Sequence, residues 1–333
     1  MKKIYRALAI FLLAIALLIC VVMIKFFTLG KILDTKDISQ YLYNSGTYRD
    51  SSEAKISFMG TSCFVFENNK EAIMIDPFFS NPSLLHPERE YKWEDFLSPY
   101  IIQKINLIAI SHGHYDHCYD MPTLLPLCAE DTKIVGDVGI YYQLHSVIES
   151  HDFIKLTRDT SIWLYSKDSS FRVKAFPTEH LPHLGRMEFF AGTYIQPLQE
   201  MPSSLYRWKK CACYNYMIDI LHNNTPVKRC VLVGGIIKDN ILQSMTREHN
   251  NFPITMLLHI MWKTSLNTPQ IEKLCKLWHP DDVLLFHWNN FFSPLHSPLQ
   301  YFSTAELPTT LHSLQEQGIR ASVMLPFTSA QIR

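Results

Sequence analysis

The residue pattern predicts an α/β fold (α+β by some schemes), built as one large domain behind a separate apolar segment at the N-terminus. Three observations lead there: 47% hydrophobic residues in a 333-residue chain, short apolar runs that end in polar or histidine-bearing turns, and helical spacing between those runs. That apolar content supports a large core and rules out disorder as the main state. Lys and Arg total 31 against 31 for Asp and Glu, so there is no basic footprint and no nucleic-acid partner is expected. Glycines and prolines are scattered, which excludes repeats and low-complexity linkers. The eight cysteines lack C-x-x-C pairing, and with Cys20 in the apolar run the other seven cannot form a complete disulfide framework.

In chain order, residues 1–6 form a short basic flank with Lys2, Lys3 and Arg6. The run Ala7 to Ile24 is uncharged and mostly aliphatic. As a helix it would extend roughly 27 Å at about 1.5 Å per residue. Leu17, Leu18 and Ile19 continue the run past Ala14-Ile15-Ala16, so residues 7–27 are expected to be an uncleaved transmembrane helix whose partner is the lipid bilayer, with a removed signal peptide or a buried core helix as the alternatives. The basic flank favours a cytoplasmic N-terminus and a soluble domain on the non-cytoplasmic side of a single-pass membrane protein. Residues 28–53 then read as a juxtamembrane connector and 54–333 as the domain.

Within the domain, Ile56 to Met59, Cys63 to Glu67 and Ala72 to Ile75 form a predicted β-meander that closes on Asp76-Pro77. A buried-looking strand, Ile105 to Ile110, runs into a histidine-rich turn. Further strands are expected at Phe171 to Phe176, Tyr214 to Ile220, Cys230 to Val233 and Val283 to Phe286. One helix is expected to start at Thr268 with Pro269 in its first turn, and another at Leu307-Pro308, stopped by Gly318.

The segment His112-Gly113-His114-Tyr115-Asp116-His117 packs four metal-ligand side chains into six residues directly after a strand. At this histidine content a chance match is expected on the order of once in a thousand chains, so coincidence is a poor explanation. Imidazoles with a carboxylate suit zinc-like ions, and a tight loop can aim alternate side chains at two adjoining sites. One loop seldom completes a coordination sphere. His180, after Phe171 to Phe176, and His287, after Val283 to Phe286, stand at the ends of later strands and are the natural complement.

With its H-x-H-x-D-H loop, Gly60-Thr61-Ser62, Ile75-Asp76-Pro77, Asp120-Met121-Pro122-Thr123, His180 and His287-Trp288, the chain resembles the metallo-β-lactamase superfamily from about Lys55 to the C-terminus. Within it, the nearest likeness is to the branch of N-acylphosphatidylethanolamine-hydrolysing phospholipase D and the L-ascorbate-6-phosphate lactonases. The resemblance implies an αββα sandwich with its metal centre at one edge of two sheets. It implies that His112, His114 and His180 hold a first zinc, that Asp116, His117 and His287 hold a second, and that Asp76 supports the site from outside. The family places a metal-bridging aspartate after a strand where this chain reads Val233-Gly234-Gly235-Ile236. Gly235 is aligned with it, and Asp239 lies downstream out of register. Loss of a bridge should cost at least the roughly 10–100-fold seen when outer partners are lost, so one tight zinc and a weak or absent second are expected.

The expected function is a zinc-dependent hydrolase acting on a phosphodiester, such as an N-acylphosphatidylethanolamine-like lipid, or on an ester. Asp116 and His287 carry the proton transfers, and His183 and Arg186 reach an anionic group of the substrate. Aromatic residues Phe78-Phe79, Trp93, Phe291-Phe292 and Tyr301-Phe302 fit an amphiphilic substrate. The stretch Ala191 to Cys213, with Trp208, Lys209 and Lys210, reads as an insertion that forms either a lid or a membrane-facing loop. Two other readings stand beside this one: a lactonase or small-ester hydrolase, and a catalytically degenerate binding or scaffold protein.

Overall fold

The computed structural model describes residues 2–27, 30–43, 54–82, 97–158, 162–183, 185–293, 295 and 298–332. Trp93 and the connector residues 44–53 lie outside them. Two seven-stranded sheets face each other. The first runs in the order Thr328–Gln331, Lys55–Gly60, Cys63–Glu67, Ala72–Ile75, Ile105–Ala109, Lys133–Asp137, Phe153–Leu156. Its first four strands pair antiparallel, which is the expected meander plus the C-terminal strand; the rest pair parallel. The second runs Ala321–Val323, Asp282–Phe286, Met256–Ile260, Thr225–Val233, Cys213–His222, Phe171–Thr178, Leu164–Tyr165. Helix Val138–Ile148 packs on the first sheet, and Asp239–Asn251, Thr264–Trp278 and Leu307–Glu316 pack on the second. This is the αββα sandwich.

The apolar faces meet between the sheets. Phe64 of the first sheet packs edge-on against Phe286 of the second, with ring centroids 5.5 Å apart. The Tyr216 hydroxyl donates across the gap to the Ile110 carbonyl at 2.9 Å. Between residues 28 and 53, Gly30–Ile32 pairs antiparallel with Gln300–Phe302, and Ile38 and Tyr41 are buried. The described part, residues 30–43, therefore packs on the domain instead of only leading to it.

Two expectations need correction. The helix expected from Thr268 runs from Thr264 to Trp278 with Pro269 inside it. Asn267 fixes the earlier start, because its Oδ1 accepts from the Trp262 and Lys263 amides at 3.1 and 2.8 Å. At the N-terminus, Lys2–Phe27 is one helix. Among the described residues, however, no helix is long and apolar enough to cross a membrane. The single-pass membrane localisation, with the domain on the non-cytoplasmic side, is accordingly withdrawn.

Candidate metal centre

Strand Ile105–Ala109 is buried along its whole length between two parallel neighbours, and it delivers the chain to the rim of the sandwich. The turn that follows is fixed by Asp76 at the end of the adjoining strand. Its Oδ1 accepts from the Ser111 amide (2.6 Å) and its Oδ2 from the Ser111 hydroxyl (2.7 Å). His114 is extended (φ −65°, ψ 154°) at the N-cap of the single-turn helix Tyr115–Cys118. Extended backbone puts His112 and His114 on one side, and the helical turn then aims Asp116 and His117 in another direction.

Gly113 between them is required by close approach. A Cβ there would lie 2.5 Å from the Lys209 carbonyl oxygen. The Gly113 amide donates to the Lys210 carbonyl (2.7 Å). Gln143 clamps the crossing, donating to the Gly113 carbonyl (2.5 Å) and accepting from the Lys209 amide (2.7 Å).

The second sheet supplies the remaining histidines. His180 follows strand Phe171–Thr178. His287 follows Asp282–Phe286 at φ 60°, with its amide donating to the Thr61 carbonyl at 2.7 Å. In each of two groups, His112/His114/His180 and Asp116/His117/His287, one ligand atom per residue lies within 4.8 Å of the others. The six residues singled out in the sequence thus converge in two adjoining triads.

The donor chemistry of both triads fits a divalent ion. His180 Nδ1 donates to the Leu181 carbonyl (2.6 Å), and His112 Nδ1 stands 3.2 Å from the Ser111 hydroxyl, so in each ring Nε2 carries the free lone pair. His112 Nε2 faces His114 Nδ1 at 3.1 Å. Two nitrogens each about 2.0–2.1 Å from a tetrahedral ion would be about 3.3 Å apart. Buried His114 Nε2 and His287 Nδ1 have no hydrogen-bond partner among the described residues. Burial, reinforced by neighbouring imidazoles, holds His112 and His180 well below the usual histidine range. Burial likewise takes His114 down to about 3. All three are neutral at pH 7, as metal ligation would require.

The second triad is charged. Burial alone would raise the Asp116 pKa, but His117 and the hydrogen bond from His287 pull it well below the carboxylate range. His287 Nε2 is 3.3 Å and His117 Nε2 3.6 Å from Asp116 Oδ2. His117 Nδ1 donates to Asp76 Oδ2 at 2.7 Å. Burial opposes charge on His117, yet the Asp76 and Asp116 carboxylates outweigh it and its pKa rises. Asp76 is thus a carboxylate backing a histidine whose other nitrogen faces the site. It holds φ at +49°, an uncommon conformation for a residue other than glycine.

Other expected participants fall into place differently. His183 lines the pocket, stacked on His180 with centroids 4.8 Å apart. Arg186 is exposed and does not line it. Gly235 does not line the pocket. Ile236 and Glu179 exchange backbone hydrogen bonds (2.7 and 3.1 Å), and a Cβ on Gly235 would lie 2.3 Å from the Glu179 carbonyl oxygen. Gly234 lines the pocket instead, and nothing comes nearer than 4.0 Å to a Cβ built there. Asp239 does not compensate: its side chain is 87% exposed and pairs with Lys273 at 3.3 Å.

The roof over the triads is aromatic. Tyr115, Phe189, Phe190, Trp208, Trp262 and Phe291 line a cavity of about 40 Å³, room for a few waters at most. Leu205 and Trp208 come from the insertion Ala191 to Cys213, which therefore covers the site. Phe78 and Phe79 are buried in the core instead. Sequence reasoning missed Trp262, which packs between His183 and His287 (5.7 and 5.6 Å) and stacks on Phe302 at 5.0 Å. The available signal was the buried run Met256–Ile260 just before it, whose end reaches the same rim as His287.

Sequence and structure comparisons agree with this architecture. Residues 55–211 match the signature of the beta-lactamase superfamily domain, a stretch that contains five of the six triad residues. The chain has the metallo-β-lactamase fold. A UPF0173 metal-dependent hydrolase of Desulforamulus reducens is 30% identical over 116 residues, 31% of this chain and 45% of that protein. A UPF0173 protein of Pyrococcus furiosus is 27% identical over 126 residues, 38% of this chain and 49% of that protein. The chain thus spans about half the length of these curated relatives. A metallo hydrolase from the archaeon Ignicoccus hospitalis superposes with a TM-score of 0.54 at 18% identity, covering 84% of this chain and 98% of that one.

Proposed function

We propose that this protein is a metal-dependent hydrolase that cleaves a phosphodiester bearing an apolar group, such as a lipid-like diester. The supporting observation is the convergence of two ligand triads within 4.8 Å under an aromatic roof. His112, His114 and His180 would hold the tighter ion, zinc being suited to three neutral imidazoles. Asp116, His117 and His287 would hold a second, more weakly, because Gly234 brings no carboxylate between the two. A bound ion supplies Lewis acidity where charge develops on the scissile group. Asp116, ionised at neutral pH, orients the attacking water and takes its proton. His183 accepts the Phe189 amide at Nδ1 (3.0 Å), which leaves Nε2 protonated to donate to a substrate oxygen. Trp262 and Phe291 seat the apolar group and keep bulk water out.

A carboxylic ester or lactone is the second reading. It is favoured by one observation: no Lys or Arg is among the described residues lining the pocket, so nothing but the metals would balance a phosphodiester's charge. The test is hydrolysis by zinc-reconstituted protein of bis(p-nitrophenyl) phosphate, p-nitrophenyl acyl esters and lactones, before and after chelation. Metal-dependent turnover of the diester, stronger with a longer apolar arm, is expected. Full turnover in chelated protein would sink the proposal, and metal binding without hydrolysis of any of these would return the chain to the scaffold reading.

A further inference from the structure

Behind His180, on the side away from the triads, the surface opens into a groove of about 400 Å³, within the size range of small-molecule sites. His180 lines both it and the metal pocket. Three cations, Arg158, Lys210 and Lys238, face two carboxylates, Glu179 and Glu188. Lys238 pairs with Glu179 at 2.6 Å and Lys210 with Glu188. Arg158, exposed, has no ion-pair partner among the described residues and is left as the unbalanced positive charge.

Two further features face the same space. Helix Asp239–Asn251 begins here, with Asn240 and Ile241 in the lining, and its N-cap Lys238 makes no side-chain cap. Its first-turn amides carry partial positive charge, offset in part by Asp239 of the same turn. Tyr214 is only 1% exposed, it lines the groove, and its hydroxyl has no hydrogen-bond partner among the described residues. An unpaired buried hydroxyl is costly and marks a place where a polar ligand atom is missing. Burial and the nearby Asp137 carboxylate raise the pKa of that hydroxyl, and Arg158 acts on it in the opposite sense. The thiols of Cys211 and Cys213, pushed up to about 12 by burial, stay protonated and add no negative charge.

We propose that this groove is an oxyanion-binding site that takes a phosphate group, held by Arg158, the Tyr214 hydroxyl and the start of helix Asp239–Asn251. The site is distinct from the metal centre and does not depend on the hydrolase reading. The phosphate is either free or carried on a larger ligand that threads past His180.

The test is calorimetric titration of chelated, metal-free protein with inorganic phosphate and, in a second arm, with glycerol phosphate. Saturable binding of phosphate is expected. Tyr214→Phe, which keeps the ring in place, and Arg158→Ala at the surface should each weaken it by about tenfold, the size of one charge-assisted hydrogen bond. His112→Ala should leave it unchanged. Tighter binding of glycerol phosphate assigns the phosphate to a larger ligand, and equal or weaker binding to the free ion. No binding, binding unaltered in both groove variants, or binding lost in His112→Ala would overturn the proposal.

Discussion

Strand Ala72–Ile75 has a buried carboxylate at each end, and the two do different work. Glu71 accepts from Asn106 (2.7 Å), the Ser166 hydroxyl (2.5 Å) and the amides of Asp168 (2.9 Å) and Ser170 (2.7 Å). Every partner belongs to the fold, so it is a clasp between the sheets' connecting segments. Asp76 accepts from Ser111 and from His117. One of its partners is a ring whose far nitrogen points into the candidate metal centre. Burying a carboxylate under several donors is the same chemistry at both ends. What separates structure from function is whether the donor has a second, unsatisfied valence.

The largest effect should come from emptying the neutral triad: His112→Ala is expected to lower hydrolysis at least about 100-fold. Elemental analysis would show the tighter metal gone, and unchanged metal content would refute the ligand assignment. Next, Asp76→Asn should weaken the second metal by about 10–100-fold while sparing the first. Equal loss at both sites would mean that Asp76 acts on the fold as Glu71 does.

The adjoining glycines give a sharper test. Gly235→Ala should cost about 1–3 kcal/mol in denaturant unfolding, because its Cβ meets the Glu179 carbonyl. Gly234→Asp should fold and tighten the second metal; if only an aspartate at 235 did so, the register would be wrong.

The smallest effect belongs to the other end of the strand. Burial works against ionised Glu71, but hydrogen bonds from Ser166, Asp168, Asn106 and Ser170 prevail, and its pKa falls below 4.5. An acid with a depressed folded pKa contributes stability that is present above its unfolded value and is lost as pH falls through the folded one. Glu71→Gln should therefore lower stability by about 1–2 kcal/mol at pH 7 without changing turnover. The gap in Tm from wild type should narrow as pH falls through the lowered pKa of Glu71. A gap independent of pH would show that the charge is irrelevant to the clasp.

Most strands and the H-x-H-x-D-H loop were legible because their signals are local, whereas the division of the six residues into two triads came with the family resemblance. The buried strand ends at His112, His180 and His287 all reach one rim, and alternation fixes which way each side chain points. The Gly234/Gly235 register was not legible, since two identical residues differ only in which one a remote backbone, that of Glu179, passes. The start of the Thr264 helix depended on a side chain folding back from Asn267 and not on the proline. Trp262 was hidden for a related reason: its role comes from rings at 183, 287 and 302, far away in the chain.

Gly113 carries a mechanical consequence. The covering segment rests on the backbone between His112 and His114 through the Gly113–Lys210 hydrogen bond and the Gln143 clamp. Any swing that admits a bulky guest tugs on the very peptide that spaces those two rings. Admission and metal grip are therefore geared together, and a variant that loosens the hatch at Gln143 should also loosen the ion.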